Sequence, residues 1–211
     1  MKITKLGHSC LLIEEDRVRI VIDPGVWSTQ QNDLHDIDIT LITHEHADHF
    51  DIGSLKTMIA NNPEVQIITN TSVSDKLSTE NIPSTVIEAD QNINIKGILI
   101  EGIGTEHAFL HTSIPCIQNT GYFIANRLFC PGDSFTVPQK PVEILAFPVA
   151  GPWTRLQESI DYAVTIKPKI CFPIHDGIIK TPGSYHLIPP LVLEKIGIKF
   201  QILEIDKEYE F

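Results

Sequence analysis

Five short apolar runs in this chain each end in a carboxylate or an imidazole. Val18–Ile22 runs into Asp23, Ile39–Thr43 into His44, Gly97–Thr105 towards His107, Leu128–Cys130 towards Asp133, and Lys169–Pro173 towards His175. Apolar stretches of this length, bounded by Gly and Pro, read as strands. If their ends share one edge, the five groups converge on one cleft, the usual arrangement for sites on loops held by rigid strands. Gly25, Gly132 and Gly177 stand beside three of them and permit the tight turns required. Taken singly, each has a simpler explanation. An Asp beside a Gly at a strand end is commonly only a turn former, and a lone His107 or His175 is more often structural than a ligand.

The number of such ends gains its meaning from the segment Thr43-His44-Glu45-His46-Ala47-Asp48-His49. Four ligand-type residues stand within six positions at the exit of a strand. Imidazole with carboxylate suits zinc and similar divalent ions. In an extended segment residues two apart share a side, so His44 and His46 can grip one ion. A turn towards a helix then carries Asp48 and His49 to a second ion beside the first. The zincin template H-E-x-x-H fails, because the position four after His44 is Asp48.

Composition excludes several other classes. The 211 residues suffice for one domain, 1–211, with a real core. Hydrophobic residues make up 42% and charged residues 20%, as in ordinary soluble proteins. No apolar run reaches membrane-spanning length, and Met1–His8 lacks the apolar core of a secretion signal. A cytoplasmic protein is therefore expected, with no membrane partner. Cys10, Cys116, Cys130 and Cys171 form no C-x-x-C pair, which removes zinc-ribbon and thioredoxin-type readings. Cys10, Cys130 and Cys171 lie in strand-like runs and are expected to be buried thiols. The net charge of −11, without a basic cluster, argues against nucleic acid as a partner. A small anionic substrate remains compatible, since two divalent ions create a local positive field. The acidic surface neither demands nor forbids self-association.

Along the chain, Lys2–Leu6, Cys10–Glu14 and Arg17–Ile22 read as strands, with Glu15-Asp16 as the turn between the latter two. Asp51–Ala60 has helical spacing and stops at Asn61-Asn62-Pro63. Val65–Thr69 is a strand and Thr71–Leu77 a short helix. Ile93–Ile103, Gly121–Ile124, Leu128–Cys130 and Val142–Val149 are further strands. Thr154–Ile166 is the clearest helix, with Thr154 and Gln157 as a capping-box pair. Lys169–Phe172 is a strand, Ile188–Ile196 a helix after Pro189-Pro190, and Ile198–Leu203 the last strand. Strands dominate and helices occur in both halves, which predicts an α/β sandwich with helices covering a pair of sheets.

At this point the chain resembles the metallo-β-lactamase-fold hydrolases. His44-Glu45-His46-Ala47-Asp48-His49 matches their H-x-H-x-D-H signature, and His107, Asp133 and His175 follow in the family's order. The resemblance implies a four-layer αββα sandwich. It implies one metal held by His44, His46 and His107, a second by Asp48, His49 and His175, and Asp133 bridging them. Asp23 resembles the family's early strand-end aspartate, which supports the loop or a ligand histidine. The opening Leu6–Glu14, Asp48-His49-Phe50-Asp51 and Pro173-Ile174-His175 look like the branch that includes L-ascorbate-6-phosphate lactonase and related metal-dependent hydrolases. One departure is Ala150–Thr154, where many relatives carry a longer polar or Gly-His segment.

The expected activity is hydrolysis of a small-molecule ester or lactone by a hydroxide bridging two metals about 3.5–4 Å apart, zinc first, with manganese or iron as alternatives. Asp48 would ligate metal and orient the nucleophile. His111 and His186 are candidate proton donors, and His8, at a strand turn, a candidate neighbour of the site. Trp27, Phe109 and Trp153 are candidates to line a pocket. A phosphodiesterase is the alternative on the same site. A di-iron redox enzyme would resemble H-x-E-x-D, whereas the second ligand position here is His46 and no flavin-binding domain follows. A non-catalytic module of this fold would lack ligands that this chain retains.

Overall fold

A computed structural model describes residues 1–211. The strands are β1 (Lys2–Gly7), β2 (Cys10–Glu15), β3 (Val18–Ile22), β4 (Ile39–Leu41), β5 (Gln66–Thr69), β6 (Thr85–Val86), β7 (Asn92–Ile95), β8 (Ile98–Ile103), β9 (Gly121–Ile124), β10 (Leu128–Cys130), β11 (Ile144–Pro148), β12 (Ile170–Ile174), β13 (Lys199–Phe200) and β14 (Glu208–Glu210). The helices are α1 (Ile52–Asn61), α2 (Thr71–Thr79), α3 (Leu156–Ile166) and α4 (Gly183–Leu193). The strands form two seven-stranded sheets, ordered β14-β1-β2-β3-β4-β5-β6 and β13-β12-β11-β10-β9-β8-β7.

Each sheet is antiparallel on one side and parallel on the other. Strands β3 to β6 and β10 to β13 run parallel, and such strands need crossovers. Helices α1 and α2 make the β4–β5 and β5–β6 crossovers and α3 and α4 the β11–β12 and β12–β13 ones, whereas β3–β4 and β10–β11 are joined without an α-helix. The period-two pattern decides which side chain faces which layer. Ile144 and Ala146 of β11 join the 22-residue core between the sheets, whereas Leu145 and Phe147 face out towards Ile160, Ala163 and Leu193 of the helices. On the other side, Leu55, Val73 and Leu77 of α1 and α2 cover Ile42 and Ile67. Each fully buried Ile or Leu in these layers contributes about 1.5–3 kcal/mol. The order of layers is helix, sheet, sheet, helix, as expected from the sequence. No helix is long and apolar enough to cross a membrane.

Local differences from the sequence reading have physical causes. The β2–β3 turn falls on Asp16-Arg17, both left-handed at φ 49° and 68°, the backbone that matches the twist of a two-residue hairpin. The run Ile93–Ile103 is two strands, broken at Lys96-Gly97, whose φ values are 52° and 92°. At α3 the capping glutamate is Glu158, which accepts from the Arg155 amide at 2.8 Å. Thr154 instead bonds the Arg155 carbonyl at 3.0 Å and the Ser159 hydroxyl at 3.1 Å. Helix α4 runs from Gly183 to Leu193 and contains Pro189 and Pro190, so the prolines lie inside a helix rather than start one. The last sequence-predicted strand shrinks to β13. The C-terminal β14, whose Glu-Tyr-Glu pattern carries no apolar signal, pairs antiparallel with β1.

A candidate metal centre at the strand ends

The carboxyl ends of the parallel strands carry the chemistry. Asp23 follows β3, His44 stands three residues after β4, Asp133 three after β10, and His175 follows β12. Ligand sites outside the carboxyl ends of parallel strands are a general property of such sheets. His8 enters from the β1–β2 turn and His107 from the loop after β8.

The His44–His49 segment is held from both sheets. The Thr43 carbonyl accepts from the Thr120 amide and from the Asn70 side chain, each at 2.9 Å. After His46 the chain turns, with the His49 and Phe50 amides donating to the His46 carbonyl at 3.0 and 2.8 Å. Helix α1 follows, its first turn capped by Asp51, which accepts from the Ser54 amide at 2.7 Å. The 23–26 loop packs directly behind this turn. A Cβ on Gly25 would lie 2.0 Å from the Asp48 carbonyl oxygen, so the close approach requires glycine.

Asp23 is buried and organises its neighbours. Its Oδ1 accepts from the Thr43 amide at 2.8 Å, and its Oδ2 accepts from the Thr43 hydroxyl at 2.9 Å and from His49 Nδ1 at 2.8 Å. These bonds fix the proton positions. A carboxylate only accepts, so His49 carries its proton on Nδ1. The Thr43 hydroxyl spends its one proton on Asp23, so His44 Nδ1, 3.0 Å away, must donate to it. His107 Nδ1 donates to the Ala108 carbonyl at 2.6 Å. Three imidazoles thus have Nδ1 engaged and turn Nε2 into the site, the arrangement that orients metal-binding histidines.

Two groups of four donors result: His44, His46, His107 and Asp133, and His8, Asp48, His49 and His175, with the ligand atoms of each within 4.8 Å of one another. In the first, His44 Nε2 and His46 Nδ1 are 3.1 Å apart, and His107 Nε2 lies 3.3 Å from Asp133 Oδ2. In the second, His49 Nε2 and His175 Nε2 are 2.9 Å apart, and His8 Nε2 is 3.1 Å from Asp48 Oδ2. Asp133 reaches both groups. Its Oδ2 faces His107, while its Oδ1 lies 3.1 Å from His49 and 2.8 Å from His175.

The donor set fits divalent cations. Tetrahedral ligands about 2.0–2.1 Å from zinc stand roughly 3.4 Å apart, close to these separations. Asp23, Asp48 and Asp133 make the pocket anionic. Burial would raise the Asp133 pKa, but the His49, His175 and His107 imidazoles hold it well below the usual carboxylate range. Burial likewise opposes ionisation of Asp48, yet the His8 hydrogen bond and the His49 and His175 charges bring it to about 2. Burial drives His44 well below its ordinary value, with His49 adding to the effect. His49 goes the other way. Burial would lower it, but Asp133 and Asp23 raise it well above the ordinary value, so positive charge is stabilised there.

Other sequence candidates fall elsewhere. His111 is exposed and bonds Ser113 at 2.8 Å, and His186 bonds Asp176 at 2.8 Å, so neither joins the two groups. Trp153 does more than line a wall, because its indole Nε1 donates to Asp133 Oδ2 at 2.9 Å. Asn119, unremarkable in the sequence, accepts from the Asp133 amide at 3.0 Å and donates to the Pro131 carbonyl at 2.9 Å. Thr43 fixes the His44 tautomer. Only the branched polar residue preceding the histidine could have signalled that role.

The pattern of the β-lactamase superfamily domain matches residues 2–175. The chain belongs to the β-lactamase superfamily. Members similar to it include the Mycobacterium tuberculosis protein Rv0786c, 30% identical with all of both chains covered. A Staphylococcus aureus UPF0173 metal-dependent hydrolase is 25% identical over 83% of this chain and 85% of its own. In three dimensions the chain is similar to a Parabacteroides distasonis protein described as a metal-dependent hydrolase, with a TM-score of 0.79 at 24% identity, covering 97% of this chain and 93% of the other. The superfamily fold and the two donor groups therefore occur together in this chain.

Proposed function

We propose that this chain is a metal-dependent hydrolase with a dinuclear centre, acting on an ester or lactone of a small molecule with an apolar substituent. The observation that carries the reading is Asp133, which offers one carboxylate oxygen to each of two imidazole groups. His44, His46 and His107 would hold one cation, and Asp48, His49 and His175 the other, with zinc first and manganese or iron as alternatives. When bound, such a pair supplies Lewis acidity and a nucleophile at neutral pH.

The chain's own residues do the rest. Asp48, ionised at neutral pH, can accept a hydrogen bond from the attacking water at Oδ2. With its pKa near 2 it orients that water rather than storing its proton. His8 Nε2, 3.1 Å away, holds the carboxylate in place. Trp153 restrains Asp133 Oδ2 and lies edge-on to His107 and His175 at 5.8 Å, which excludes water from that side.

The surroundings favour an apolar substrate part. A small cavity of about 40 Å³ against His46 and His107 has walls of Phe109, Leu110, Ile114 and Ile117. A wider cleft of about 460 Å³ runs along residues 104–109 and 134–136. No Lys or Arg lines either one, so neither offers an ammonium or guanidinium group to a phosphate. Phe109 is 64% exposed and Trp27, edge-on to His8 at 4.6 Å, is 51% exposed, so apolar surface flanks both donor groups. The test is hydrolysis by zinc- or manganese-loaded protein of aryl esters and lactones with alkyl chains of increasing length, a sugar-phosphate lactone, bis-(nitrophenyl) phosphate and a β-lactam. The expected result is metal-dependent turnover of the alkyl ester or lactone that vanishes in Asp48→Ala. Preference for the diester would replace the ester reading with the phosphodiesterase one.

A further inference from the structure

Strand β1 carries a lysine where its burial pattern calls for an apolar residue. Lys5 is 2% exposed. Its Nζ crosses from the first sheet to the second, donating to the Pro173 carbonyl at 2.8 Å and to Asp176 Oδ1. The other Asp176 oxygen, Oδ2, accepts from His186 Nε2 of α4 at 2.8 Å. A buried ion pair is weak evidence for stability, since an apolar pair of similar volume often serves as well or better. The position of this one suggests another use. Pro173 and Asp176 bracket His175.

His175 differs from the histidines whose Nδ1 is engaged. Its own Nδ1 has no hydrogen-bond partner, so no side-chain contact on that nitrogen sets the ring's orientation. Its backbone is left-handed, φ 65° and ψ 11°, a conformation that a non-glycine residue keeps only when its surroundings impose it. On this chain the surroundings are the hydrogen bond from the His175 amide to the His8 carbonyl at 3.2 Å and the Lys5 ammonium, which donates to the Pro173 carbonyl on one side and pairs with Asp176 on the other.

We propose that Lys5, Asp176 and His186 form a clasp that positions His175 and so sets the cation affinity of the His8–Asp48–His49–His175 group, without touching the cation. The inference rests on the dinuclear reading above. None of the three is a catalytic residue, because each acts through the backbone of His175.

The test is a zinc titration of metal-free protein against a chromophoric chelator, with melting temperature followed in parallel. Wild type should take up two equivalents. Lys5→Met keeps the volume and removes the charge. It should bind the first equivalent as wild type does and the second ten- to a hundredfold more weakly, the range for residues that support a ligand. Asp176→Asn should do the same. His186→Ala, at a half-open position, should weaken the second equivalent less, and His186→Gln, which retains a donor to Asp176, should restore it. Unchanged affinity for both equivalents in Lys5→Met and Asp176→Asn would overturn the clasp, whatever the melting temperatures do. If Lys5→Met fails to fold, the His186 pair decides by the same criterion. A wild type that binds fewer than two equivalents would overturn the dinuclear reading and the clasp with it. Two equivalents bound without turnover of any ester would leave the clasp standing and remove only the substrate reading.

Discussion

The two donor groups share Asp133 but are built differently. In the first, His44 and His107 are each locked by an Nδ1 donor bond, to Thr43 and to the Ala108 carbonyl. His44 is held neutral by burial, so its Nε2 lone pair is ready. In the second, His49 is locked by Asp23, and Asp133 and Asp23 stabilise a positive charge on its ring. His175 and His8 have unpartnered Nδ1 atoms, and the chain that carries His175 is steadied from outside. In the first group each locked imidazole is held by its neighbour in sequence, Thr43 beside His44 and Ala108 beside His107. The second is assembled from the β1–β2 turn, the loop before α1 and the end of β12, and the contacts that steady His175 come from residues far apart in sequence.

That contrast can be broken most severely at the shared residue. Asp133→Ala should reduce metal uptake from two equivalents to one or none and lower kcat/KM by at least about a thousandfold, consistent with loss of a group that serves both cations. Elemental analysis with ester kinetics checks it. Retained activity would remove the bridge from the account.

Asymmetric substitution comes next. His175→Ala should leave one tightly bound equivalent, whereas His44→Ala should abolish the tight one, and competitive zinc titration separates the two patterns. Loss of the same equivalent in both variants would contradict two distinct groups.

Support residues should show smaller effects. Thr43→Val removes the acceptor for His44 Nδ1, and Asp23→Asn weakens the hold on His49 Nδ1. Each should cost about 10–100-fold in zinc affinity, Thr43→Val at the first equivalent and Asp23→Asn chiefly at the second. Effects in the opposite order would reverse the assignment of supports.

Proton release gives a finer test. His49 titrates well above its ordinary value in the folded chain, so at neutral pH it is protonated and must lose a proton to bind a cation. His44 titrates well below and has none to lose. Affinity for the second equivalent should therefore rise with pH across the neutral range while that for the first stays flatter. Calorimetry in buffers of different ionisation enthalpy reads the protons released. Equal release for both equivalents would erase the distinction. The smallest expected effect is at the rim, where Phe109→Ala should raise KM for long-chain esters by roughly three- to tenfold, the loss of one apolar contact surface, with kcat little changed.

How much of this was legible in the sequence follows the same divide. The H-x-H-x-D-H segment and the polar ends of apolar runs are local patterns, and the strands and helices that carry them fall within a few residues of where periodicity puts them. The pattern of strands and helices predicts an α/β sandwich with helices over two sheets, and the resemblance implies the four αββα layers; runs such as Ile144–Pro148, apolar throughout and buried along their whole length, fit strands covered on both faces. What was hidden depends on tertiary contact. Nothing near Lys5 in sequence announces Asp176, 171 positions away. The indole of Trp153 reaches Asp133 only because the loop after β11 folds over the site. The α4 prolines read as a helix start because Pro favours the first turn, and β14 has no periodic signal because it is a partly exposed edge strand.

The most direct test of the two-group centre is an anomalous difference map from crystals grown with zinc. The account predicts two peaks about 3.5–4 Å apart, one bonded to His44, His46 and His107, the other to Asp48, His49 and His175, with Asp133 between them. A single peak, or peaks away from these side chains, would contradict it.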